Sequence, residues 1–117
     1  PGEPSSVIRE RVLRARNIQA QRFASIQGVH CNAQMSEKHL KEYCVLDTES
    51  SELLRLAMER LQLSARAYSR ILKVARTIAD LDKKSDIETS HISEAISYRS
   101  LDRENLLNRV EYLIKAV

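Results

Sequence analysis

Ser64, Arg66, Arg70 and Lys73 are the residues of this 117-residue chain whose types and spacing best suit binding chemistry. Ser64 is a good helix N-cap, because its hydroxyl can accept from a first-turn amide that lacks an intrahelical partner. Arg66 then falls in the first turn, where free N–H groups and the helix dipole favour anions. A cation there loses a few tenths of a kcal/mol, up to about 1, unless something negative sits opposite. Phosphate answers that need, since helix N-termini bind it and a guanidinium donates to it in a bidentate fork. The plain alternative is a solvated first-turn arginine.

The element that carries these residues reads as one helix from Leu63 to Leu81. At about 100° per residue, Arg66, Arg70, Lys73, Thr77, Asp80 and Lys84 share a stripe roughly 80° wide. Ala67, Tyr68, Ile71, Leu72, Ala75, Ile78 and Ala79 occupy the other face. The alanines leave room for a neighbouring helix, so the expectation is a buried spine with one charged edge.

The rest of the chain must build a scaffold for that spine. An apolar fraction of 43% and a charged fraction of 30% suit a soluble globular domain. No apolar run approaches the roughly 18 residues that span a bilayer, and no signal peptide is visible, so the chain reads as cytoplasmic. With two glycines, two prolines and no hairpin signal, strands have almost no support. The fold class expected is all-α, a five- or six-helix bundle. Cys31 and Cys44 read as reduced thiols, and with His30 and His39 they lack the ligand spacing of zinc motifs. The expectation is no metal site.

Pro1 to Ser6 read as a linker, with an abrupt start that suits a piece of something longer. Ser5 or Ser6 can cap a first helix to about Ser25, with Ile8, Val12, Ala15, Gln19 and Phe23 as its inner stripe. A loop follows over 27–33. Ser36 caps a short helix to about Tyr43, and Asp47 or Thr48 starts the next, with Leu53, Leu54, Ala57, Met58 and Leu61 inward. Gln62 and Leu63 form a tight corner, which predicts that this helix and the spine pack as an antiparallel hairpin. Thr89 or Ser90 caps a helix with Ile92, Ala95, Ile96 and Tyr98 inward. A final amphipathic helix is expected from Leu101 to Ala116. The expected core is Leu53, Leu54, Ala57, Leu61, Tyr68, Ile71, Leu72, Ala75, Ile78, Ile92, Ile96 and Leu101.

Charge is uneven along the chain: +3 over 1–24, −2 over 25–62, +4 over 63–84 and −2 over 85–117. The basic character lies in the first helix and the spine, a pattern that suits nucleic acid, phosphates or an acidic protein surface. Gly2 and Gly28 cannot build a phosphate-binding Walker A loop, which brackets four residues between two glycines before Lys and Ser or Thr. No Gly-x-Ser-x-Gly or His-Glu-x-x-His occurs either. No catalytic residue is assigned.

Three blocks carry a family resemblance: Leu63-Ser64-Ala65-Arg66, then 70–81 (RILKVARTIADL), then 91–99 (HISEAISYR). They resemble the C-terminal domain of bacterial magnesium-chelatase-like AAA+ ATPases of the competence-associated branch. Gly2 to Ser6 with Ile8, Arg11, Val12, Ala15, Arg16, Gln19, Arg22 and Phe23 resembles that family's core-to-lid connection and first lid helix. The resemblance runs from residue 2 to about 103. It implies a linker at 1–6 from a missing N-terminal ATPase core, a helical lid at 7–103 and a variable tail at 104–117. It also implies that Arg66 takes the place of the sensor 2 arginine, which contacts nucleotide phosphates, while Arg70 and Lys73 are possible contacts to DNA or a neighbouring subunit. ATP and Mg2+ would be held by the parent protein, and none by this piece alone. The implied partners are the AAA+ core, neighbouring subunits of a homo-oligomer, a hexamer by that resemblance, and DNA. The alternatives are a stand-alone helical DNA-binding module or a protein-interaction bundle. The spine lacks the Asn or Gln that read base edges, which weighs against the first of these.

Overall fold

The computed structural model describes residues 4–98. The first helix, α1 (Ser5–Arg22), starts behind Pro4, whose carbonyl accepts from the Val7 and Ile8 amides at 3.0 and 3.2 Å. Neither serine caps it. Proline supplies a fixed φ in place of the side-chain bond expected from Ser5 or Ser6. After a turn at Gly28, which sits at φ +84°, a 3-10 turn forms over Asn32–Gln34. The next three helices are α2 (Glu37–Tyr43), α3 (Thr48–Arg60) and α4 (Ala65–Leu81). Each starts on its expected cap: Ser36 accepts from the His39 amide, Asp47 from that of Ser50 and Ser64 from that of Ala67. A fifth helix, α5, is formed over 89–98. Among the described residues the protein is all-helical, as expected.

Two corners close on residues in the left-handed region. Gln62 has φ +52° and Lys83 φ +59°, and each is flanked by a backbone bond that spans the corner, Leu63 N–H to Met58 and Lys84 N–H to Ala79. This is the usual way to satisfy the last carbonyls of a helix, although glycine is the commoner residue for it.

The core gathers on α4. Phe23, Leu40, Leu54, Ile71, Leu72, Val74, Ala75, Ile78, Ala79, Ile92 and Ala95 are buried in one cluster. A smaller cluster of Val12 and Ala15 packs with Leu81. Ala15, Ala75 and Ala79 are fully buried, the small side chains that let α1 and α4 approach closely. Leu72→Ala is therefore expected to cost about 2–5 kcal/mol, read from urea or thermal melts.

The structure corrects several expectations. From Val74 to Asp80 every residue of α4 is buried, so Thr77 and Asp80 do not lie on a charged edge. The charged edge is confined to the N-terminal half of the helix. Leu61 and Tyr68 are 48% and 39% exposed rather than core, and Leu53, Ala57 and Ile96 are half-buried. α4 packs chiefly on α1, α2 and the 3-10 turn, not along α3 as a hairpin. α5 is already helical at Thr89, with His91 rather than a hydroxyl satisfying the Glu88 amide at 2.9 Å. Leu101, the helix expected over 101–116 and the 104–117 tail lie outside the described residues.

Candidate phosphate contact and the polar clamp behind it

Ser64 fixes the start of α4 by accepting from the Ala67 amide at 3.2 Å. Arg66 is the second helical residue, it is exposed, and the first turn contains no acidic side chain. It makes no hydrogen bond or ion pair with another described residue. Arg70 is half-buried and engaged. Lys73 is also half-buried, and its Nζ donates to the Ala33 carbonyl at 3.2 Å. The three cations of the expected stripe are thus not equivalent. Arg66 alone of the three presents an unengaged guanidinium, at a helix end whose amides also favour an anion.

Behind it, four turns along the same helix, lies a polar cluster. The Asp80 side chain is 1% exposed and faces two arginines. Arg22 of α1 grips it with two bonds, Nη1 to Oδ2 at 2.8 Å and Nη2 to Oδ1 at 2.7 Å. Arg76 approaches Oδ1 at 3.3 Å from one turn back on α4. Asn32 completes the set: its Nδ2 donates to Asp80 at 2.9 Å and to Thr77 Oγ1 at 3.1 Å, and its Oδ1 accepts from Arg22. Its backbone N–H donates to buried Gln19 Oε1 at 2.9 Å. One carboxylate therefore ties α1, the 3-10 turn and α4 together.

Two guanidiniums on one buried carboxylate leave excess positive charge. Arg76 is relieved by carbonyl oxygens: those of Tyr43 at 3.4 Å, Ser85 at 3.0 Å and Lys84 at 2.8 Å accept from it. Tyr43 ends α2, so this bond also serves the carbonyl end of that helix. Burial still pushes the Arg76 guanidinium below its ordinary range, with the Asp80 charge opposing the shift. Arg22 also lies over the Phe23 ring, 5.9 Å from its centroid.

Sequence reasoning missed this cluster. The available signal was Arg76 and Asp80 at i and i+4 between Ala75, Ile78 and Ala79, an ion pair set inside apolar residues rather than opposite them. His91 was missed as well. It is buried, its Nδ1 accepts from the Glu88 amide and its Nε2 pairs with Asp82 Oδ2 at 3.0 Å. That contact holds the Asp82 carboxyl below the usual carboxylate range.

No group of three or more His, Cys, Asp or Glu side chains gathers as metal ligands among the described residues. His39 Nδ1 accepts from the Ser36 amide at the start of α2, and Cys44 is buried with its Sγ 3.9 Å from the Leu72 carbonyl. Burial pushes the Cys44 thiol up to about 11. At pH 8 about one Cys44 in a thousand is then thiolate, against roughly a quarter for an ordinary thiol. Iodoacetamide is expected to modify the Cys44 peptide at least about 100-fold faster in urea than in the folded protein, by peptide mass spectrometry.

The geometry is thus a helical fold wrapped round one spine helix, with an unengaged arginine at its capped start. The chain belongs to the family described as magnesium chelatase, subunit ChlI C-terminal, whose pattern matches residues 2–99. It is 42% identical over 102 residues to the competence protein ComM of Haemophilus influenzae, covering 87% of this chain and 19% of that protein. It is 40% identical over 103 residues to YifB of Escherichia coli, covering 88% of this chain and 19% of that one. A protein of Mycobacterium tuberculosis (strain H37Rv) is 34% identical over 98 residues, 84% of this chain and 19% of its own length. The chain thus spans about a fifth of these relatives. Among the described residues, no helix is long and apolar enough to cross a membrane.

Proposed function

We propose that this domain is the helical lid of an AAA+ ATPase and that Arg66 is its sensor 2-like contact to nucleotide phosphate. The observation that carries the reading is Arg66 itself: exposed, unengaged among the described residues, and second in a helix capped by Ser64. The chain's own residues fit a phosphate contact and not a complete nucleotide site. They offer a guanidinium and helix amides, but no glycine-rich loop to cradle phosphates. ATP and Mg2+ are therefore assigned to the ATPase core of the parent protein. Arg66 donates to a phosphoryl oxygen from the lid side and releases it when that charge leaves, which biases a hinge between lid and core.

We further assign the parent to a hexameric motor acting on DNA in the cytoplasm, in keeping with the family resemblance and with a relative named as a competence protein. The recognition-helix alternative meets a physical obstacle. Every residue of α4 from Val74 to Asp80 is buried, and a buried helix cannot enter a major groove. Calorimetry separates the readings. The isolated chain is expected to bind ATP no tighter than millimolar, and the full-length protein in the micromolar range typical of such sites. Micromolar ATP binding by the isolated chain, or none by the full-length protein, would reject the assignment.

A further inference from the structure

We propose that the exposed side of α1, from Ser5 to Asn17, is a docking surface for an acidic, partly apolar face of the polypeptide that accompanies this domain in the full-length protein. The proposal rests on the reading above only in treating the domain as one part of a longer chain.

The first argument is that α1 has apolar residues on more sides than the domain covers. Val12, Ala15 and Gln19 are buried against the domain, whereas Val7, Ile8 and Leu13 stay 42%, 40% and 44% exposed. Ile8 belongs to the stripe expected to face inward, yet it lies a turn beyond Val12 at the edge of the domain. Residues 4–10 are exposed without exception. A helix with apolar residues round its circumference is one that packs on more than one side.

Charge identifies the chemistry of what covers it. Arg9 and Arg16 are exposed on this surface, against the single acid Glu10. The half-buried Arg14 has its Nε shielded from solvent with no acceptor among the described residues. Leu13, Arg14, Arg16, Asn17 and Glu10 line a shallow, open hollow of about 640 Å³. Exposed guanidiniums of Arg9 and Arg16 beside the exposed Leu13 suit a carboxylate set among apolar groups. Nucleic acid fits less well: α1 carries no aromatic residue to stack on bases, and a phosphate backbone gives Val7, Ile8 and Leu13 nothing to pack against. The material for a protein partner is at hand, because the chain spans only 19% of each relative described above.

The test uses the full-length protein with a photo-reactive phenylalanine analogue at Leu13, with cross-linked peptides identified by mass spectrometry. Cross-links are expected to acid-containing peptides outside this domain. Arg9→Glu with Arg16→Glu should cut their yield at least about five-fold through like-charge repulsion. The amides of α1 should also exchange at least about ten-fold more slowly in the full-length protein than in the isolated chain. Cross-links only within the domain, including residues after 98, or only to an added DNA duplex, would overturn the proposal. So would no cross-links together with unchanged exchange. Arg66→Ala should leave the cross-links intact, so a failed sensor assignment and a failed docking surface give different results.

Discussion

Arg66→Ala in the full-length protein is expected to slow ATP turnover at least about ten-fold while leaving the fold intact. The two halves of this result have separate causes. Arg66 lies at the positive end of α4 with no described partner, so folding gains little from its charge. Its loss should move stability by no more than about 0.5 kcal/mol, or about 2–4 °C in melting temperature, with a slight gain allowed. Hydrolysis is different, because a guanidinium at the phosphoryl group meets charge that redistributes in the transition state. Arg70→Ala is the control, since Arg70 is half-buried and already engaged. It should affect turnover less. A folded Arg66→Ala protein that hydrolyses ATP at the wild-type rate removes the sensor assignment, and an unfolded one makes Arg66 structural.

The largest stability effect is expected at the other end of the same helix. Asp80→Ala removes the carboxylate that Arg22 grips twice and that Arg76 and Asn32 also contact. Two like charges would then face each other with little access to solvent. Breaking a buried pair from one side costs about 3–5 kcal/mol, a large part of the 5–15 kcal/mol that holds an ordinary domain together. Asp80→Asn keeps the shape and part of the hydrogen bonding, so it should fall between Asp80→Ala and wild type. Urea melts of the three chains give the order directly. An Asp80→Ala chain as stable as wild type would mean that the clamp adds nothing net.

The starts of α2, α3 and α4 were legible because a cap is a local bond between residues three apart, and Ser36, Asp47 and Ser64 each make it. The position of Arg66 was legible for the same reason. Burial was legible only in part. A helical wheel gives an angle and no depth, so Leu61 and Tyr68 share the core's bearing but lie near the helix ends, where less of the domain covers them. Asp80 failed differently. Periodicity assigns charge to solvent, and nothing within a helical turn reveals that Arg22 reaches Asp80 across 58 residues of sequence. Its pairing depends on how α1 lies on α4, which is a property of the assembled core.

The contrast between the two halves of α4 has a mechanical consequence. Its second half is gripped on every side, and Ala67, Ile71 and Leu72 bury the inner side of its first half, so the helix moves with the domain as one stiff rod whose root is Asp80 and whose tip, Arg66, stands in solvent. Fourteen residues separate the two, which at 1.5 Å each is an arm of about 21 Å. Tilting the root by about 10° would carry the tip through nearly 4 Å, the difference between a direct hydrogen bond and one with water between. A stiff arm of that length converts a small rotation of α1 against its surroundings into the making or losing of a single contact.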